Sequence, residues 1–212
     1  MNLIMVTGGA RSGKSTFAQE LALQQEALHP EKTVIYVATA LAGDAEMRRR
    51  VELHRRNRPT RWLTVEEPWD LSAALDAIPP GCGTILVDCL TVWLSNMLLR
   101  SLEQKDLALD GNNCHWNMEG KYESLHDELS FKKAEAVLEG QIFDQVAKFV
   151  EKATGYDYTA IIVTNEVGWS VVPEHYLGRL FRDIAGRVNQ QVSSRASAVY
   201  LVVSGISLKI KG

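Results

Sequence analysis

Eight consecutive residues, Gly8-Gly9-Ala10-Arg11-Ser12-Gly13-Lys14-Ser15, fit the pattern G-x-x-x-x-G-K-[ST]. Each residue type has a chemical reason to be there. Glycines let backbone N–H groups close around phosphate oxygens, where a side chain would obstruct. The lysine supplies a cation for the β- and γ-phosphates, and the serine hydroxyl supplies an oxygen ligand for Mg²⁺. A second acid-bearing string, Thr84-Ile85-Leu86-Val87-Asp88, ends an apolar run on a carboxylate. Placed near Ser15, Asp88 would complete the oxygen set of the same metal ion. A third cluster is cationic: Arg48, Arg49, Arg50, Arg55, Arg56, Arg58 and Arg61, with His54 among them. Arginine runs are commonly solvated helix faces. The choice of arginine over lysine favours phosphate, because the guanidinium fork matches phosphate oxygens bidentately.

These residues need elements to hold them. Leu3 to Val6 is apolar and precedes the glycines, and Phe17, Ala18, Leu21, Ala22 and Leu28 follow at near-helical spacing. Strand, glycine loop and helix is the order in which the pattern binds a nucleotide, with the positive end of the helix facing the same anion. Residues 33–38 read as a buried parallel strand ending in Thr39. Ligands of open α/β sheets sit at the C-terminal ends of strands, so Thr39 is a candidate site neighbour. Residues 44–57 look helical up to Arg58-Pro59. Residues 61–66 suggest a short strand and 69–78 a short amphipathic helix. Residues 84–88 form the strand that carries Asp88, and 90–102 a helix. From about residue 103 to 133 the chain turns polar and loses its period, which predicts an exposed or partly disordered insertion. An amphipathic helix follows, with Ala134, Val137, Leu138, Ile142, Val146, Phe149, Val150 and Ala153 on one face. Residues 159–164 form another buried strand running into Asn165-Glu166-Val167-Gly168. Residues 174–196 form a helix on which Arg182, Gly186 and Asn189 share one side. Residues 198–203 and 207–211 are too close for a crossover and should pair antiparallel.

Composition narrows the classes. The chain has 212 residues, 46% hydrophobic and 23% charged, which suits one α/β domain with a full core. A net charge of −3 gives no basic excess for nucleic acid. No apolar run approaches the ~20 residues of a membrane span, and the short N-terminal run lacks a charged leader. The three cysteines, Cys82, Cys89 and Cys114, have no metal-binding spacing, so reduced thiols and a cytoplasmic setting are expected.

Taken together, TGGARSGKS, His54 before Arg58-Pro59 and Trp62, ILVDC, TNEVG, FRDIAGRVNQ and VVSGISLKIK resemble one family over nearly the whole chain: the bifunctional adenosylcobinamide kinases / adenosylcobinamide-phosphate guanylyltransferases of cobalamin synthesis. The resemblance implies a P-loop NTPase-type, RecA-like α/β fold, mostly parallel with a C-terminal antiparallel strand, in a homotrimer. It implies phosphorylation of the aminopropanol hydroxyl of adenosylcobinamide by ATP or GTP with Mg²⁺. Transfer of GMP from GTP to adenosylcobinamide phosphate follows. In the family a histidine carries the GMP, and His54 occupies that position. Arg55, Arg56, Asn57 and Arg58 stand where the family contacts nucleotide, as does Glu66. Two readings from the P-loop alone stay open: a small-molecule kinase without a covalent step, and a nucleotide-switch ATPase.

Overall fold

The computed structural model describes residues 2–41, 48, 49, 52, 55, 58–103 and 128–212. Seven strands form one sheet: β1 (Asn2–Gly8), β2 (Thr33–Ala38), β3 (Leu63–Glu66), β4 (Cys82–Asp88), β5 (Thr159–Val163), β6 (Ala198–Val203) and β7 (Ile206–Lys211), in the spatial order β3-β2-β4-β5-β1-β6-β7. Neighbours from β3 through β6 pair parallel, and only the β6–β7 pair is antiparallel. This bears out the expected α/β sheet with its antiparallel last strand. β1 and β4 are separated by β5, so the glycine loop and Asp88 hang from strands with one strand between them.

The strands alternate their side chains between two cores, because successive residues of an extended chain point to opposite faces. Leu3, Met5, Ile35, Val37, Ile85, Val87, Ala160 and Ile162 enter the larger core. It is closed by the helices α2 (Leu71–Asp76), α3 (Leu90–Glu103), α4 (Glu128–Gly155) and α5 (Tyr176–Arg195). Val6, Val34, Tyr36, Leu86, Ile161 and Val163 face the other way, onto Ala18, Leu21 and Ala22 of α1 (Lys14–Leu28). Both faces being covered explains why these strands read as unbroken apolar runs.

Three expectations shift. Helix α4 begins at Glu128, inside the polar stretch assigned to an insertion; residues 104–127 lie outside the described residues. Val137 is 58% exposed, whereas Leu138, Ile142, Val146, Phe149, Val150 and Ala153 are buried, so the core stripe runs through 138 rather than 137. One residue is about 100° of helical rotation, enough to leave the stripe. Leu28, the last residue of α1, is exposed, beyond the end of the neighbouring core. The helix expected over 44–57 falls largely outside the described residues.

Phe149→Ala should cost about 3–5 kcal/mol in urea unfolding, because it empties a fully buried site, and Val137→Ala less than about 0.5 kcal/mol. Equal losses would mean that α4 presents a different face.

Candidate active site

At the end of β1 the chain turns through residues 9–13 and enters α1 at Lys14. Gly8 has φ +152°, and a Cβ there would stand 2.2 Å from the Val202 carbonyl oxygen of β6. Gly13 has φ +96°, and its missing Cβ would lie 3.2 Å from Gly205 Cα, in the β6–β7 turn. That turn also donates Gly205 N–H to the Ser12 carbonyl at 2.8 Å. The loop is therefore braced from behind by the C-terminal hairpin, a contact the local pattern did not announce. Gly13 is the N-cap of α1 and has no side chain to offer the first N–H groups, which leaves them for an anion.

In front of the loop is a cavity of about 650 Å³. Ala10, Arg11, Ser12, Gly13, Lys14 and Ser15 form one wall; Asp88 and Arg58 face them. Lys14 is buried and its Nζ donates to the Gly9 carbonyl at 2.5 Å. Burial lowers its pKa from the ordinary lysine value, while Cys89, Asp88 and Glu166 pull it back up. The cation is thus held next to two carboxylates and the glycine loop. Ser15 and Asp88 supply a hydroxyl and a carboxylate oxygen on the same cavity, a hard-oxygen pair that fits Mg²⁺.

Tyr36, which the sequence reading passed over, anchors this side. Its hydroxyl donates to Asp88 Oδ2 at 2.6 Å. The Arg58 guanidinium carbon lies 3.3 Å from the centroid of its ring. Burial first, and Asp88 next, push the phenol pKa up, so it stays a donor at neutral pH. Arg58 Nε is buried with no hydrogen-bond partner among the described residues, beside a cavity that suits a phosphate oxygen. The only advance sign of Tyr36 was its period-2 position with Val34 and Ala38, facing α1.

Thr39 stands between the cavity-lining Ala38 and Ala40 and acts as a clamp. It has no exposed surface, donates Oγ1 to the Cys89 carbonyl at 2.8 Å and accepts from Cys89 N at 2.9 Å. Asn96 of α3 holds its carbonyl at 2.8 Å. With its hydroxyl engaged on both sides, it orients the turn after Asp88. Burial pushes the Cys89 thiol up to about 12, which keeps it neutral and unreactive. Glu66 ends β3 opposite Ala38; it is exposed and stands outside the cavity, although Ala38 lines it. Arg55 is exposed on a helical residue, whereas His54, Arg56 and Asn57 lie outside the described residues.

The TNEVG segment forms a second tier. Asn165 lines the cavity, and Glu166 accepts from Thr7 Oγ1 at 2.6 Å and from Asn189 Nδ2 at 3.2 Å. Thr164, Thr91 and Asn189 continue this buried chain of hydrogen bonds, at 3.0 Å and 2.8 Å. It ties β1, β5, α3 and α5 together under the phosphate loop. Asn189 thus turns inward, while Arg182 and Gly186 line a different cavity.

A glycine loop between a central parallel strand and a helix, facing an acid on a strand beyond the next, defines a P-loop nucleotide-binding protein of the α/β class. Residues 4–210 match the model of the cobinamide kinase / cobinamide phosphate guanyltransferase family. The chain is 37% identical over 209 residues to the bifunctional adenosylcobalamin biosynthesis protein CobU of Escherichia coli, covering 99% of each. It is 36% identical over 211 residues to CobU of Salmonella typhimurium, again 99% of each. It is 36% identical over 208 residues to CobP of Pseudomonas aeruginosa, covering 98% of this chain and 96% of that one. The chain belongs to the cobinamide kinase / cobinamide phosphate guanyltransferase family.

Asp88→Asn should leave the fold intact and raise the Mg²⁺ concentration needed for half-maximal activity. Tyr36→Phe should shift it in the same direction by a smaller factor, because the carboxylate loses one anchor. If activity at limiting Mg²⁺ is unchanged in Asp88→Asn, the carboxylate is not part of the metal site.

Proposed function

We propose that this one phosphate site serves both reactions of the family: phosphorylation of the aminopropanol hydroxyl of adenosylcobinamide by ATP or GTP, then transfer of GMP from GTP to adenosylcobinamide phosphate. The observation that carries the reading is the convergence of Lys14, Ser15, Asp88 and Arg58 on one cavity, in a chain matched end to end by that family. Lys14 would leave Gly9 to meet the β- and γ-phosphates, and the N–H groups of residues 9–15 would cradle them. Arg58 would turn its free Nε to a phosphate oxygen while its guanidinium stays stacked on Tyr36. Mg²⁺, held through Ser15 and Asp88, would neutralise charge on the phosphates. In the kinase reaction the acceptor hydroxyl oxygen bonds to the γ-phosphorus, a nucleoside diphosphate leaves, and a proton is released.

For the second reaction we assign His54 as the carrier, on its position in the arginine-rich segment next to Arg55 and before Arg58-Pro59. A neutral imidazole, with reference pKa ~6.5, is a competent nucleophile near neutral pH. One ring nitrogen bonds to the α-phosphorus of GTP as the bond to the bridging oxygen breaks, and pyrophosphate leaves with the electron pair. A phosphate oxygen of adenosylcobinamide phosphate then displaces the histidine, giving adenosylcobinamide-GDP. Covalent transfer divides one hard displacement into two easier ones.

The same resemblance proposes a homotrimer, and one surface supports it. On the edge strand β7, Ile206, Leu208 and Ile210 are 74%, 58% and 56% exposed, with Val203 of β6 beside them at 51%. An exposed apolar edge strand is a liability unless covered. Leu208→Glu should lower the mass measured by sedimentation equilibrium; a wild-type monomer would remove the proposal. Among the described residues no helix is long and apolar enough to cross a membrane, which is compatible with the cytoplasmic setting we propose.

His54→Ala should retain phosphorylation of adenosylcobinamide and lose GMP transfer. Wild-type protein incubated with α-labelled GTP and Mg²⁺ should hold an acid-labile, alkali-stable label, absent from the variant. Lys14→Ala should lower both activities together, roughly 10²-fold or more, through lost charge stabilisation. Wild-type labelling of His54→Ala would remove that residue as the carrier.

A further inference from the structure

A second cavity, of about 810 Å³, opens between α4 and α5. The TNEVG segment links it to the nucleotide cavity: Asn165 lines one and Gly168, three residues on, lines the other. Asn189 bonds the Asn165 carbonyl at 3.1 Å. Gly186 and Arg182 lie one and two turns further along α5, about 5–10 Å from Asn189 at 1.5 Å per residue.

The lining selects the kind of molecule. Three arginines, Arg179, Arg182 and Arg187, are matched by Glu135, Glu139 and Asp183. Arg182 bonds Asp183 at 3.0 Å, and Arg187 pairs with Glu139. Balanced charge with three carboxylates opposes a second phosphate. It suits neutral carboxamides, each of which brings a carbonyl acceptor and two N–H donors and needs partners of both kinds. Each arginine has five donors, so the ion pairs leave some over for a guest.

Gly186 points the same way. It sits inside a 20-residue helix, where glycine is less favourable than alanine. Its backbone is ordinary helix, and a Cβ built there meets nothing within 4 Å. Neither conformation nor internal packing asks for glycine, so the missing side chain keeps the cavity open.

We propose that the cavity between α4 and α5 receives the carboxamide-bearing rim of the corrinoid acceptor, leaving its aminopropanol arm to reach past Asn165 to the nucleotide. This rests on the two-reaction reading above. The acceptor is the occupant chosen because the reaction needs a second, bulky substrate beside the phosphate site, and this cavity adjoins it.

Gly186→Leu enters the space from a position whose Cβ meets nothing within 4 Å, and Gly186→Ala is its control. Adenosylcobinamide binding is read by equilibrium dialysis from its visible absorbance, alongside acceptor kcat/KM and GMP labelling from GTP alone. Gly186→Leu should lower acceptor affinity and kcat/KM at least tenfold while labelling stays within twofold of wild type. Gly186→Ala should bind normally and melt higher. Arg182→Ala, which cannot crowd the helix, should weaken acceptor binding in the same direction. Wild-type acceptor affinity in Gly186→Leu overturns the assignment. So does a changed mass by light scattering with acceptor affinity retained, which would give the cavity to a second copy of the chain. If the wild type labels with GMP yet neither binds nor phosphorylates adenosylcobinamide, the parent reading falls and takes this one with it. Wild-type turnover beside an unaffected Gly186→Leu sinks the cavity assignment alone.

Discussion

The site depends on the register of β1 between β5 and β6. Val6 stands opposite Val163, and Gly8 opposite Val202. Gly8 tolerates no side chain because the Val202 carbonyl occupies the place of its Cβ. A slip of one residue would exchange the two faces of β1, turning Leu3 and Met5 away from the larger core and Val6 into it. It would also move the start of the glycine loop off the sheet edge. The apolar alternation that secures the cores therefore fixes the position of the phosphate loop as well.

Around that constraint the polar groups arrange themselves in tiers. Lys14, Ser15, Asp88 and Arg58 face the cavity with Tyr36, which anchors Asp88, and Thr39, Asn96, Glu166 and Asn189 spend their hydrogen bonds on one another, on Thr7 and on backbone. A buried polar group without a partner is costly, so such networks admit few alternative arrangements. A group meant for a ligand can then keep an atom unspent without loosening its supports. Arg58 shows this: one face is stacked on Tyr36 while its Nε is left free.

What the sequence disclosed follows from how local each signal is. The glycine loop, its strand and its helix are contiguous, so residues 2–28 could be read directly. Asp88 was legible as the end of an apolar strand, and the antiparallel last pair from the short distance between two β runs. Thr39 could be placed beside the site but not given its partner, because a polar residue at a strand end has the same local signature whether it meets a ligand or a backbone 50 residues away. Tyr36 escaped for the converse reason: in one dimension it is one more apolar-run residue, and only pairing of β2 with β4 brings it to Asp88. Asn189 was grouped correctly with Arg182 and Gly186 by helical spacing. Yet one side of α5 spans two environments, a buried junction near Asn189 and an open cavity further along.

The brace between the phosphate loop and the β6–β7 turn carries a consequence for the order in which the molecule comes into being. β1 is made before every other strand of the sheet, but both its neighbours, β5 and β6, are made after β2, β3 and β4, and Gly205 follows β6. A nascent chain leaving the ribosome holds Lys14 and Ser15 long before anything can shape them into a binding loop. Domains generally fold as units once their parts have emerged. Nucleotide affinity here would arrive only once β6 and the Gly205 turn have been made, so that a chain stopped before that turn lacks the back of its phosphate loop.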